Sequence, residues 1–210
     1  MHLLDEIRRD HRLIDRVAGS MVAWADRGVD HPEGAHDLDE LVGFLRAFVV
    51  GYHHRQEEVL FGALVDHAEV PAASGPLVVL RREHESLANA VEELASAGPC
   101  SQAAELARSL AAALWQHLDK EDSVLLLESE RRLVDGGIRE LPDVPADTRV
   151  EAARRAGDEL SSRLPPAVHP DLIRGEGCIA CAAFAEDCHG IESEWWSDWD
   201  RLHHASLDEG

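Results

Sequence analysis

The chain has 210 residues, of which 45% are hydrophobic and 5% aromatic, and its formal net charge at pH 7 is −21. This length supports one well-packed domain with a substantial extension. So acidic a chain argues against nucleic acid and anionic membranes as partners, because both require a basic surface.

The lack of long apolar segments bears on where the protein resides. No stretch of about 20 apolar residues is present, so the sequence predicts no membrane span. The N-terminal segment MHLLDEIRRDH is charged from its fifth residue and lacks the apolar run of a signal peptide. We therefore expect a cytoplasmic protein, in which the four cysteines are thiols or metal ligands rather than disulfides. A single lysine beside nineteen arginines is typical of a GC-rich bacterial source.

Apolar residues at helical spacing predict two helices in the first part of the chain. The first covers about residues 3–27, with an apolar face of Leu4, Ile7, Ile14, Ala18 and Met21, and His11 lies on this face. The second covers about residues 37–67, with a stripe of Leu38, Leu41, Leu45, Phe48 and Val49. This stripe leads into His53 and Glu57, which are four residues apart and therefore share one helix face.

Two further helices follow the segment PAASGP at residues 71–76. The third covers about residues 77–97 and carries His84 in a stripe of Leu77, Leu80, Leu87, Val91 and Leu94. The fourth covers about residues 101–133 and carries His117 and Glu121 in a stripe of Leu106, Leu110, Leu114 and Leu125. Each of the four helices thus has a histidine on its inward face.

These elements predict an all-α protein built on an up-down-up-down four-helix bundle, because the loops are short enough for antiparallel neighbours. The bundle occupies residues 1–135. Residues 136–164 form a linker and one further helix. Residues 165–210 form a helical or irregular C-terminal extension, which holds three of the four cysteines and three of the five tryptophans.

A metal centre accounts for the inward histidines and glutamates. A single histidine on an apolar face is more often a hydrogen-bonded core residue than a ligand, but four in register with two glutamates form a pattern. Buried Glu57 and Glu121 need cations, and the helical faces place no lysine or arginine at their level. Four imidazoles and two carboxylates exceed the ligands of one tetrahedral zinc ion, and they suit two metal ions bridged by carboxylates. Mixed nitrogen and oxygen donors favour iron, with manganese or zinc as alternatives.

The second helix offers two frames for its histidine and glutamate. His54 and Glu58 have the same spacing as His53 and Glu57. The apolar stripe that precedes them is centred nearer His53, so we favour His53 with Glu57. In that frame His54 and Glu58 would be neighbours at the edge of the helix.

Four segments resemble the hemerythrin-like, HHE cation-binding family: DHRLID at 10–15, HHRQEEVLF at 53–61, REHE at 82–85 and HLDKEDSVLL at 117–126. The resemblance covers about residues 1–135 and implies a four-helix bundle with a non-haem di-iron centre. Members of the family bind oxygen, sense iron or oxygen, respond to nitric oxide or help to repair iron centres. The resemblance implies two iron ions bridged by carboxylates and held by His11, His53, Glu57, His84, His117 and Glu121.

Two positions depart from the oxygen-carrying members of the family. The carriers have a second histidine four residues after the histidine of the third helix, and this chain has Ala88 there. They also use an aspartate five residues after the histidine of the fourth helix, which corresponds to Asp122 here. We favour Glu121 as the ligand because the helical stripe passes through it, and Asp122 is the alternative. The missing imidazole argues against reversible oxygen carriage and leaves room for redox chemistry.

The C-terminal extension holds a second candidate metal site. Cys178 and Cys181 form a CxxC pair, and Cys188 and His189 follow, so these four residues could bind zinc. The alternative is that the cysteines are reduced and pack against the bundle. The tryptophans of residues 193–204 could dock on the bundle, which we favour, or on a second subunit, which would give a homodimer.

The sequence therefore supports two functional hypotheses from different classes. In the first, the protein binds O2 or a related small ligand at a di-iron centre, in sensing, storage or iron homeostasis, and is not an enzyme. In the second, the centre is catalytic and acts on peroxide or nitric oxide, or delivers iron for repair of iron centres. A third, purely structural interpretation treats the histidines as core residues and the extension as a docking module.

Overall fold

The computed structural model describes residues 1–27, 34–73, 75–98 and 101–167, apart from the side chain of Val124. All regular secondary structure in these ranges is helical, as the all-α prediction requires. The predicted site at Cys178, Cys181, Cys188 and His189 lies outside the described residues.

Five helices make up the described part of the chain. Helix α1 is His2–Arg27 and α3 is Pro76–Ala97. Helix α2 covers residues 34–68 and consists of Gly34–Phe44, a π-helical segment Leu45–His53, and His54–Ala68. Helix α4 covers residues 101–135 and consists of Ser101–Lys120, a π-helical segment Glu121–Leu125, and Leu126–Asp135. Helix α5 is Thr148–Arg163. The predicted helices are present, and their ends differ from the predicted ends by a few residues.

Helices α1 to α4 enclose two separate apolar clusters. The lower cluster contains the start of α1, the end of α2, the start of α3 and the end of α4, represented by Leu4, Leu60, Leu77 and Leu125. The upper cluster contains the opposite part of each helix, represented by Ile14, Leu45, Leu87 and Leu110. Each of the four helices therefore contributes residues to both clusters. The polar residues predicted to bind metal lie between the clusters, at the middle of each helix.

The two π-helical segments do not interrupt the helices that contain them. At the junctions in α2 the backbone remains right-handed helical, with φ −60° and ψ −51° at Phe44 and φ −61° and ψ −50° at His53. Lys120 and Leu126 keep the same conformation at the junctions in α4. A π-helical turn holds more residues than an α-helical turn, so each segment shifts the face that later side chains present to the core. Both shifts occur at the level of the polar cluster.

Helix α5 packs on the outside of the bundle against α1 and α2. Asp147 caps its first turn by accepting hydrogen bonds from the backbone N–H groups of Arg149 and Val150, each at 2.9 Å. Gly157 lies so close to Phe44 that an added Cβ would be 2.6 Å from its Cε2 atom. The close approach explains why glycine occupies this helical position.

The remaining predictions about architecture concern topology, domains and membranes. The up-down-up-down order and the boundaries at 135 and 164 stay predictions. No helix in the described ranges is long and apolar enough to cross a membrane.

Candidate metal centre

Seven histidine and glutamate side chains meet between the two apolar clusters. They come from the middle of α1, α2, α3 and α4, and each is at most 8% exposed: His11, His53, His54, Glu57, His84, His117 and Glu121. Six of them are the residues that the sequence predicts as ligands, and the structure brings all six together. Their role as ligands stays a prediction.

The seven side chains form two groups that share one carboxylate. The first group is His54, Glu57, His84 and His117, and the second is His11, His53, Glu57 and Glu121. Within each group, one ligand atom from each residue lies within 4.8 Å of the others. Each group therefore has the dimensions of a four-ligand metal position, and Glu57 is common to both.

The contacts of the two glutamates connect the groups. The Oε1 atom of Glu57 lies 2.8 Å from His53 Nε2 and 3.4 Å from His11 Nε2. Its Oε2 atom lies 3.1 Å from His84 Nε2, in the other group. The Oε2 atom of Glu121 lies 3.3 Å from His11 Nε2 and 3.6 Å from His117 Nε2. Both carboxylates thus reach imidazoles of both groups, as bridging ligands would.

Many polar atoms that point into the centre lack hydrogen bonds. In the described part of the chain no hydrogen-bond partner exists for Glu57 Oε2, for either carboxylate oxygen of Glu121, or for the Nε2 atoms of His53, His54, His84 and His117. No lysine or arginine in the described ranges pairs with either glutamate. Buried polar atoms in such numbers are unfavourable unless something satisfies them. The convergence of nitrogen and carboxylate lone pairs fits metal ions, which accept electron density from both.

Two pKa shifts in the cluster, those of Glu57 and His54, favour the forms that bind metal, whereas neighbouring carboxylates outweigh burial and raise the pKa of His11 and His84. Burial opposes ionisation of Glu57, yet the charge of His53 and the close imidazoles of His11 and His84 hold its pKa well below the usual range. Burial lowers the pKa of His54 to about 2, so its imidazole is neutral at pH 7. Ionised carboxylate and neutral imidazole are the forms that bind metal.

Two of the histidines are oriented by carboxylates outside the groups. His11 Nδ1 lies 2.7 Å from Asp122 Oδ1, which fits donation by the imidazole N–H. His117 Nδ1 lies 2.9 Å from Glu83 Oε2, and Glu83 also pairs with Lys120. Such outer partners fix the ring and its tautomer so that Nε2 points to the metal. Asp122, the predicted alternative to Glu121, therefore lies outside both groups as a partner of His11.

On α2 both residues of the favoured frame, His53 and Glu57, lie in the buried cluster, and the structure differs from the expectation for His54. Glu57 is in the centre, whereas Glu58 is 45% exposed and pairs with Arg81 at 3.0 Å. His54, expected at the helix edge, is buried, and its ring stacks on that of His84 with centroids 3.9 Å apart. The expectation for His54 is wrong because it assumed a uniform α-helix. The π-helical segment ends at His53 and shifts the face, so consecutive histidines both reach the core.

His54 also compensates for the imidazole that is missing at Ala88. It joins His84 and His117 in the first group, which therefore has three imidazoles without a second histidine on α3. Sequence reasoning could have found this residue, because His54 and His53 lie three and four residues before Glu57, the two separations that share a helix face.

The similarity of this chain to known proteins covers the helices that form the cluster. The family model described as Hemerythrin HHE cation binding domain matches residues 2–127, which include all seven residues of the cluster. Helix α5 lies beyond the matched span. No curated protein and no solved structure matches the chain significantly.

Proposed function

The chain belongs to the hemerythrin HHE cation-binding family, and from this premise we propose that it holds two non-haem iron ions and binds O2 or a related small ligand there. The two positions are the groups described above, with Glu57 and Glu121 as bridging carboxylates. The observation that carries the proposal is the pair of buried four-residue groups that share Glu57.

The donor set supports two divalent ions rather than one. Five imidazoles and two carboxylates exceed the coordination sphere of one ion, and mixed nitrogen and oxygen donors suit iron. Two divalent ions would bring about four positive charges, and the two glutamates would neutralise about two of them. A bridging hydroxide would then leave a net charge of about +1. Iron, when bound, supplies Lewis-acid and redox chemistry that no side chain of the cluster provides.

The two positions differ in how many ligands the protein supplies. His54, His84 and His117 give the first group three imidazoles, whereas His11 and His53 give the second group two. With both carboxylates shared, the second group leaves the larger number of positions for an exogenous ligand. The small ligand would therefore bind on the side of α1 and the π-helical segment of α2.

Burial limits the ligand to a small molecule. All seven side chains are at most 8% exposed, and apolar clusters cover the centre above and below. O2, nitric oxide and peroxide are ligands of that size. The third imidazole that His54 provides also removes the argument from Ala88 against binding of O2. We therefore favour a binding protein over the alternative of an enzyme that acts on peroxide or nitric oxide or repairs iron centres.

The test combines metal analysis with ligand binding. Protein loaded with Fe²⁺ under anaerobic conditions should contain two irons per chain, and Glu57→Ala should lose both because the carboxylate is shared. Glu58→Ala, at an exposed position one residue away, should keep both. Exposure of the reduced protein to O2 should change the visible spectrum once, without continued consumption. Metal-free wild-type protein would contradict the proposal, and sustained turnover of peroxide or nitric oxide would support the enzymatic alternative instead.

A further inference from the structure

Helix α5 lies outside the matched span, yet one of its arginines contacts residues that are adjacent to the candidate metal centre. The Nη2 atom of Arg154 lies 3.4 Å from Asp10 Oδ1 on α1. The guanidinium of Arg154 also lies over the rings of Phe48 and Tyr52, at 5.3 and 5.9 Å from their centroids. Tyr52 directly precedes His53, so Arg154 contacts α1 and α2, two of the three helices that supply the second group.

Asp10 is a buried carboxylate that is only partly satisfied. Its side chain is 2% exposed, and its Oδ2 atom has no hydrogen-bond partner in the described part of the chain. The contact from Arg154 is long and reaches only the other oxygen. A carboxylate removed from water in this way is unfavourable unless another donor completes its hydrogen bonding.

The imidazole of His53 lacks a hydrogen-bond acceptor on its Nδ1 side. Its Nδ1 atom is buried and has no hydrogen-bond partner among the described residues. By contrast, Nδ1 of His11 has Asp122 and Nδ1 of His117 has Glu83. His11 and His117 thus form a set of predicted ligand histidines whose rings are held by carboxylates, and His53 lacks such a partner.

Asp10 is placed to complete this set. It directly precedes His11, whose ring centroid is 4.9 Å from that of His53. The buried Oδ2 atom of Asp10 lacks a donor and the buried Nδ1 atom of His53 lacks an acceptor, so the two groups are complementary.

We propose that Asp10 is the positioning carboxylate of His53 and that Arg154 of α5 holds Asp10 in place. The inference rests on the proposed metal centre and adds α5 to the structures that support it. An ionised Asp10 would keep the proton of His53 on Nδ1 and direct the Nε2 lone pair to the second group. The simpler alternative is that Arg154 and Asp10 form an ion pair whose only effect is to dock α5 on α1.

Three variants separate the two explanations. Asp10→Asn removes the charge at nearly constant shape, and Arg154→Ala removes its partner. The matched control is Asp158→Asn, which breaks a different ion pair between α5 and α1: Asp158 and Arg16 are 2.6 Å apart and exposed. If Arg154 only docks α5 on α1, Asp158→Asn and Arg154→Ala should have the same effect on metal binding.

The experiment is a titration of each metal-free protein with Co²⁺ against a competing chelator, followed by visible absorption. Asp10→Asn should bind the more weakly held ion about 10–100-fold less tightly than the wild type, the usual effect of losing an outer carboxylate. Arg154→Ala should show a smaller loss, and Asp158→Asn should match the wild type. Thermal unfolding of the metal-free proteins identifies any loss of fold, and Arg154→Ala, at a 30% exposed side chain, carries the test if Asp10→Asn does not fold.

The outcomes distinguish failure of this inference from failure of the proposed function. Wild-type affinity for both ions in Asp10→Asn and Arg154→Ala, or an equal loss in Asp158→Asn, would overturn the inference and leave the metal centre intact. A wild-type protein that binds no Co²⁺ or Fe²⁺ would overturn both.

Discussion

Replacement of His54 by leucine should have opposite effects on the metal-free and the metal-loaded protein. Burial lowers the pKa of His54 to about 2, so its ring is neutral at pH 7, and its Nε2 atom has no hydrogen-bond partner among the described residues. Without metal, the native imidazole is therefore an unsatisfied polar group in the core. With metal, it is the third imidazole of the first group.

The magnitude follows from the contacts of the ring. An unsatisfied buried polar atom costs about 1–3 kcal/mol, and leucine would remove that cost. The stacking of His54 on His84, at 3.9 Å between centroids, would be lost, which offsets about 0.5–1.5 kcal/mol. The metal-free variant should thus be more stable than the wild type by about 1 kcal/mol. When the free metal concentration is 100 times Kd, each bound ion adds about 2.7 kcal/mol to the free energy of unfolding of the wild type. The variant should lose this stabilisation for the first group.

The assay is guanidinium unfolding of both proteins, with chelator and with excess Co²⁺. The free energies of unfolding should change order between the two conditions: the variant is more stable with chelator and less stable with Co²⁺. The control is His67→Leu, at an exposed position of the same helix, which should stay within about 0.5 kcal/mol of the wild type in both conditions. Equal stabilisation of His54→Leu and wild type by Co²⁺ would refute the assignment of His54 to the centre.

Three further substitutions test the orientation of His117, the packing of α5 and the exposed position of Glu58. Glu83→Gln should weaken metal binding about 10–100-fold through His117, measured by chelator competition, and unchanged affinity would contradict its orienting role. Gly157→Leu should displace α5 because even a Cβ would lie 2.6 Å from a ring atom of Phe44, at a cost of about 1–3 kcal/mol or more. Limited proteolysis should then cleave α5 first, and wild-type resistance would contradict the packing. Glu58→Ala should change the free energy of unfolding by at most about 0.5 kcal/mol, measured by circular dichroism.

Helical periodicity was sufficient to predict most of the centre. His11, His84 and His117 continue apolar stripes that only one helix face can bury, so their inward direction follows from spacing alone. Glu57 and Glu121 lie one turn after a histidine on the same face. Because these spacings lie within single helices, they can be recognised without knowing how the helices pack.

The apolar stripe did not predict the inward position of His54, for which the only sequence signal was its separation of three residues from Glu57. A uniform α-helix with His53 facing inward turns the next side chain toward the edge, and the sequence gives no clear signal for the π-helical segment Leu45–His53. The contact of Arg154 with Asp10 was also beyond sequence reasoning, since the two residues are 144 positions apart. Only the packing of α5 against α1 brings them together.

Two metal ions are proposed to lie on either side of Glu57, and anomalous diffraction at the iron edge tests this arrangement most directly. Crystals of the iron-loaded protein should show two anomalous peaks, one beside His54, His84 and His117 and the other beside His11 and His53. Both should lie about 2.0–2.2 Å from an oxygen of Glu57, the distance usual for metal–carboxylate bonds. A single peak, or two peaks that do not share Glu57, would contradict the claim.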